Sequence, residues 1–258
     1  MKIYMVQFIF FISLLMTVAL QNSGLYSQQV LLGVKGGIGI PDLKNGGTPQ
    51  SEGFSSRKAP NFGAFIEYHF DSNFSLLGEI LYAGQGGQRN GMQPLYAYNL
   101  TGLPIPPDLI LYANFDNETI LNYLEFPVFA CYSFMGNKSG FDVYVDLGLY
   151  LGILLNATAK TNGTSTIFLD KEGTIPLSVG GNQLPPQNFD NEADIIDELN
   201  KINVGLSGGL GVTYNFSGHQ IKFDVRGAYG FIRLQADEKD GSNYTGVLAI
   251  TLGYGFKI

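Results

Sequence analysis

The sequence predicts an all-β fold: an eight-stranded antiparallel up-and-down transmembrane β-barrel with a filled interior, after a cleaved N-terminal signal peptide. Three observations predict it. Eight segments alternate apolar and polar residues with period two, which in an extended chain sends successive side chains to opposite faces. The connections between them alternate short and long. One face carries large aliphatic side chains, while the other carries charges and glycine.

The strands follow in order. The first is 32–40, with Leu32, Val34, Ile38 and Ile40 opposing Gly33, Lys35, Gly37 and Gly39. The second, 61–70, sets Phe62, Ala64, Ile66, Tyr68 and Phe70 against Asn61, Gly63, Phe65, Glu67 and His69. The third, 74–85, sets Phe74, Leu76, Ile80 and Tyr82 against Ser75, Glu79, Ala83 and Gln85. In the fourth, 120–134, Leu124, Phe126, Val128, Ala130, Tyr132 and Phe134 oppose Tyr123 and Glu125. Pro127 interrupts it, and since proline donates nothing to a ladder a bulge is expected there.

The fifth strand, 141–156, alternates most regularly, with aliphatic residues from Val143 to Leu155 against Asp142, Tyr144, Asp146, Gly148, Tyr150, Gly152 and Asn156. The sixth, 204–216, sets Leu206, Leu210, Val212, Tyr214 and Phe216 against Gly205, Ser207, Gly209, Gly211 and Thr213. The seventh, 220–232, sets Ile221, Phe223, Val225, Tyr229 and Phe231 against Lys222, Asp224, Arg226, Ala228 and Gly230. The eighth, 244–256, sets Leu248, Ile250, Leu252 and Tyr254 against Thr245, Ala249, Thr251 and Gly253.

The links after strands two, four and six are 71–73, 135–140 and 217–219, whereas the others are roughly 41–60, 86–119, 157–203 and 233–243. Short periplasmic turns and longer extracellular loops give this alternation in outer-membrane barrels. Outward Tyr and Phe near strand ends, such as Tyr68, Phe74, Tyr132, Phe141, Tyr214, Phe231 and Phe256, suit the two membrane–water boundaries. Closure is required, because lipid offers no partner to an open edge. Eight strands leave room only for side chains, so a diffusion channel is not expected.

Composition agrees. Charged residues are 14%, aromatics 13%, and there are 34 glycines and no tryptophan. The net charge of −7 leaves no electrostatic footprint for nucleic acid. Cys131 is the single cysteine, so no intramolecular disulfide is possible, and a buried thiol is expected. Residues 1–27 read as the signal peptide, with Lys2, an apolar run to Leu20 and small polar residues before a cleavage point between Ser23 and Gln28. An uncleaved anchor is the rival, since the apolar run approaches spanning length. Residues 28–258 are then the barrel domain.

Several strings resemble the PorT-like outer-membrane β-barrel family of Bacteroidetes: GVKGGIGI (33–40), FGAFIEYHFDSNFSLLGEILYAGQG (62–86), LNYLEFPVFACYSF (121–134), VDLGLYLGILL (145–155) and DELNKINVGLSGGLGVTYNF (197–216). The third matches the family's Asn-Tyr-Leu-Glu-Ile-Pro strand with Phe126 in place of Ile, which makes Pro127 a family feature. Such chains usually end on an aromatic read by the barrel-assembly machinery; here Lys257 and Ile258 follow Phe256. The resemblance implies outer-membrane location and barrel fold but no single activity, while the short and long connections place both mature termini in the periplasm.

No catalytic, cofactor-binding or metal-ligating set is expected. His69 and His219 are the only histidines, and no serine is marked out beside either. The charges Lys35, Glu67, Glu79, Glu125, Asp142, Asp146, Lys222, Asp224 and Arg226 share the polar face and are expected to form a satisfied internal network, with a proton or ion path as the rival. The long loops are the better functional candidates. Loop 86–119 carries Tyr96, Tyr98, Tyr112, Pro104, Pro106 and Pro107, suited to protein or glycan contact. In loop 157–203, Ile195, Ile196 and Leu199 form one side of a short helix capping the barrel mouth, with cation binding by Asp190, Glu192 and Asp194 as the rival. Three functions follow: a non-enzymatic envelope scaffold or surface-interaction protein, an accessory component of a protein secretion system, or a lipid-modifying enzyme.

Overall fold

The computed structural model describes residues 29–97, 105–106, 109–136 and 140–258. The leader and Tyr98, Pro104 and Pro107 lie outside the described residues. Eight long strands form an antiparallel ring: β1 (Gln29–Gly46), β2 (Ala59–His69), β3 (Phe74–Tyr96), β4 (Ile110–Ser133), β5 (Gly140–Asn162), β6 (Ile202–Phe216), β7 (His219–Gly230) and β8 (Ser242–Lys257). Each pairs with its sequence neighbours, and β1 pairs with β8 from Leu31↔Lys257 to Gly46↔Ser242, which closes the barrel.

The faces follow the period-two reading. Phe141 is 70% exposed and Leu252 60%, although both belong to long apolar runs. The nine charged side chains of the opposite face are all buried. An apolar outside around a charged inside is what a lipid solvent selects. The short connections tighten as expected. Ser217 and Gly218 both adopt positive φ (45° and 83°), the pattern of a two-residue type I′ hairpin. Asp71 closes the β2–β3 turn by accepting from the backbone N–H of Asn73 and Phe74 at 2.7 and 2.8 Å.

Three expectations need correction. First, β3 and β4 extend well beyond the predicted 85 and 120. They continue as a paired hairpin to Tyr96↔Ile110, so Tyr96 and Tyr112 are strand residues rather than loop residues. Second, Pro127 does not sit in a bulge. It pairs with Tyr150 on β5, and toward β3 the ladder lapses between Gly78↔Val128 and Leu81↔Glu125 without changing register. The missing N–H is absorbed by a local gap.

The actual bulge lies at Asn122/Tyr123, where the register against β5 shifts. Leu155 is the extra residue: Asn122 pairs Asn156 and Tyr123 pairs Leu154. The third correction follows from it. Asn156 faces outward, and Ala157 takes the inward position, because one added residue reverses the alternation.

The core is layered along the barrel axis. Near the short turns Leu31, Phe65, Leu77, Phe129 and Cys131 pack together, which makes the thiol a buried one. The charged layer follows. At the far mouth lies an apolar plug of Leu43, Leu121, Tyr123, Leu154, Ala157, Leu199 and Leu234. Beyond it, outside the ring, a separate apolar core joins Leu95, Ala97, Leu111 and Ala113 of the extended hairpin to Ile167 and Leu177.

Candidate functional site

The interior was the first candidate, so its geometry decides what a lumen of this kind can do. Arg226 on β7 is the hub. Its Nη1 contacts Glu79 Oε1 at 2.8 Å, its Nη2 contacts Asp146 Oδ2 at 2.7 Å, and the guanidinium lies 4.3 Å from the Phe129 ring centroid. Lys35 on β1 bridges Glu79 and Asp224 at 3.0 and 2.9 Å. Thr251 donates to the same Asp224 carboxylate at 3.2 Å. Five strands are thereby cross-linked through the lumen.

Toward the short turns a second group forms. Lys222 Nζ meets Glu67 Oε2 at 2.9 Å and lies 4.4 Å from the Tyr144 ring centroid. Ser75 donates to Glu67 Oε1 at 2.6 Å. Toward the mouth, Gln85 donates to Glu125 at 3.0 Å, and Asn203 donates to Thr245 at 2.8 Å. Charges buried this deeply are retained only when paired and hydrogen-bonded.

Glycine makes the packing possible. A Cβ on Gly211 would strike the Tyr144 ring, and one on Gly205 the Tyr150 ring. The rings lie where a neighbouring strand has no side chain. The cavity left among Lys35, Glu79, Glu125 and Arg226 is about 30 Å³, room for a water or two. The lumen is filled, as the sequence predicts.

Both histidines lie near the short turns. His69 is buried 3.8 Å from Glu67, and Ser75 stands opposite it in the ladder. The Ser75 hydroxyl donates to the Glu67 carboxylate. His219 sits at the β6–β7 turn with Nδ1 2.7 Å from Tyr254 Oη and its ring stacked on the tyrosine. Other outward rings near the short turns pair in tilted contact, including Phe74 with Tyr132 and Phe141 with Tyr214.

The connection after β5 is built, not loose. The segment Asn191–Asp194 adds to β5 opposite Thr158–Thr161. The short helix expected here is a single 3₁₀ turn, Ile196–Glu198. Ile195 and Ile196 pack against the apolar plug that Leu199 enters, so the predicted cap is present. Asn200 ties it to the β7–β8 connection by donating to the Arg233 and Gln235 carbonyls at 2.9 and 3.1 Å.

The three acids of the rival cation reading serve the backbone or the sheet. Asp190 accepts from Gly163 N, Asp194 accepts from Ile196 N, and Glu192 stands opposite Lys160. Among the described residues no group of three or more His, Cys, Asp or Glu could hold a metal ion.

Sequence reasoning missed the apolar core outside the ring, because Leu95, Leu111 and Ile167 lie in stretches with no sustained period. Their aliphatic character was the available signal.

A closed β-ring with an apolar outer wall, a charged and filled lumen and elaborated long connections defines the class: an outer-membrane β-barrel. The chain belongs to the outer membrane protein beta-barrel domain family, whose model matches residues 21–235. No curated protein matches it. Among solved structures it is similar to OprG of Pseudomonas aeruginosa at 14% identity, covering 88% of this chain and 96% of that one, with a TM-score of 0.41. It is similar to Neisserial surface protein A at 12% identity, covering 88% and 98%, with a TM-score of 0.38. It is also similar to Ail, the attachment invasion locus protein of Yersinia pestis, in complex with the heparin analogue sucrose octasulfate, at 13% identity, covering 88% and 99%, with a TM-score of 0.37.

Proposed function

We propose that this chain is a non-enzymatic outer-membrane protein that acts as an envelope scaffold or surface-interaction protein through the structure beyond its long-connection mouth. One observation carries the reading. The lumen is sealed by interlocked charges, whereas the apolar core of Leu95, Leu111, Ile167 and Leu177 gives the outer connections an ordered body of their own. Rigid scaffolds that present shaped connections suit recognition. In this reading both mature termini are periplasmic, the shaped end faces outward, and its partners are proteins or glycans. Membrane lipid surrounds the wall, and barrel-assembly machinery inserts the chain.

A second reading, an accessory role in a protein secretion system, is supported by the PorT-like string LNYLEFPVF. A deletion strain separates the readings. Weakened adhesion or envelope integrity with normal secreted cargo is the expected result. Loss of cargo moves the assignment to secretion, and altered lipid A moves it to an enzyme. Planar-bilayer recordings provide a direct check on the lumen: a steady ionic conductance from the purified protein contradicts a sealed interior.

A further inference from the structure

The charged face of the lumen is unequal in sign. It buries six acids against three bases, Lys35, Lys222 and Arg226. Five of the acids have a partner that offsets their charge. Lys222 meets Glu67, Lys35 and Arg226 share Glu79, Arg226 meets Asp146, and Lys35 meets Asp224. Asp142, at the short-turn end, accepts from the backbone N–H of Met135 at 2.9 Å. Glu125 on β4 is the exception. It is buried, and among the described residues its hydrogen bond comes from the neutral amide of Gln85, 3.0 Å from Oε1. No cation pairs with it there.

The groups around Glu125 make a negative charge costly. Leu81 of β3 stands opposite it in the ladder, so Glu79 lies one step along on the same face, a second carboxylate. Its own strand adds Tyr123, and β5 presents Tyr150 and, deeper, Asp146. Lys35 of β1 is held between Glu79 and Asp224, and Arg226 of β7 between Glu79 and Asp146. From β2, β6 and β8 come the neutral Asn61, Ser207 and Thr251. Toward the mouth, Arg57 is engaged elsewhere, by Glu118 at 2.7 Å and by the Gln85 carbonyl at 3.1 Å. Above Glu125 the apolar plug begins, with Leu121, Tyr123 and Leu154. A buried carboxylate without a cation costs far more than the same group neutral. Glu125 also borders the cavity of about 30 Å³, where a water has room to accept from an acid O–H.

We propose that Glu125 is a proton-binding site: the folded lumen holds it as the neutral acid, and uptake of that proton closes the layer beneath the mouth plug. The proton removes a charge that no side chain of the lumen offsets. The seal is therefore strengthened by acid. Rising pH takes the proton away, leaves two carboxylates on neighbouring strands under the plug, and draws water toward them.

The test uses the full-length protein folded in detergent micelles. At about pH 6 ordinary carboxyls are ionised. An infrared C=O stretch of a neutral carboxylic acid is therefore expected from the parent at that pH, and it is expected to vanish in Glu125→Gln. Glu125→Asp keeps an acid in place and is expected to shift the band, a readout that stands even where the glutamine variant does not fold. An unfolded glutamate releases its proton at about pH 4. Above that pH the folded chain holds one proton more than the unfolded chain, so this contribution to stability is lost as pH rises. Between about pH 5 and 6 the ratio of folded to unfolded protein is read from urea curves of the heat-shiftable form. It is expected to fall about tenfold further in the parent than in Glu125→Gln. A parent without the band, a band that survives Glu125→Gln or is unmoved by Glu125→Asp, or parallel pH slopes for the parent and Glu125→Gln overturns the proposal.

Discussion

The middle layer of the ring and the body beyond its mouth are both close-packed, and they are packed with opposite chemistry. Within the ring the interior holds Arg226, Lys35, Glu79, Asp146 and Asp224. Along the same β3–β4 hairpin, a few turns of pleat further on, the buried residues are Leu95, Ala97, Leu111 and Ala113. The difference teaches what sets interior polarity. Where lipid wets the outer face, aliphatic residues are assigned to it, and the inward face can hold groups that pair with one another between its apolar layers. Where water wets the outer face, burial of apolar surface supplies the driving force, and the inward face is aliphatic again. One continuous pair of strands serves both solvents.

The sharpest way to break this comparison is at its charged hub. Arg226→Leu leaves Glu79 and Asp146 without their shared cation in a site that admits no bulk water. A loss of about 3–5 kcal/mol is expected, read as a lower urea midpoint of the folded, heat-shiftable form in detergent. An Arg226→Leu protein as stable as its parent would mean that the network is ornamental.

Next in size is crowding inside the ring. Gly211→Val drives a side chain into the Tyr144 ring, and a cost of about 1–3 kcal/mol is expected from such overpacking. Adding Tyr144→Ala should recover part of that loss, so the pair's non-additivity is the measured quantity.

The outer core should behave as an ordinary soluble one. Ile167→Val, at a fully buried position, is expected to cost about 0.5–1.5 kcal/mol. The loss should appear as faster proteolysis within 163–190 while the gel mobility of the barrel stays fixed. Loss of barrel mobility in that variant would show the two bodies to be one cooperative unit.

The smallest effect belongs to the β2–β3 turn. The backbone N–H groups of Phe74 and Asn73 hold the Asp71 carboxyl below its ordinary range. A depressed carboxyl contributes stability that is present above its ordinary pKa and lost as pH falls through the lowered one. Asp71→Asn should therefore flatten a shallow acid-side decline in stability and change little at neutral pH. A decline of unchanged depth would assign it to other acids.

The sequence revealed most about the part of the fold that spans the membrane. Two unlike surroundings on the two faces impress a strict period of two, and Val143 to Leu155 shows it almost without interruption. The capping role of Ile195, Ile196 and Leu199 was also legible, because three aliphatic residues stand among acids. What was illegible has physical reasons. The bulge at Leu155 costs one residue and leaves no compositional mark. The link between Lys222 and Glu67 spans 155 positions and depends on closure of the ring.

The bulge has one further consequence. Up to Leu154, β5 turns its even-numbered residues inward, and from Ala157 its odd ones. It is two strands of opposite phase spliced at one residue. A hairpin exchanged above the splice keeps the barrel's alternation untouched, and removing Leu155 itself would leave Asn156 outward and Ala157 inward, turning the splice into one regular strand. The exchangeable part of this protein therefore begins at a defined residue, and engineering of its outer face has a natural cut point there.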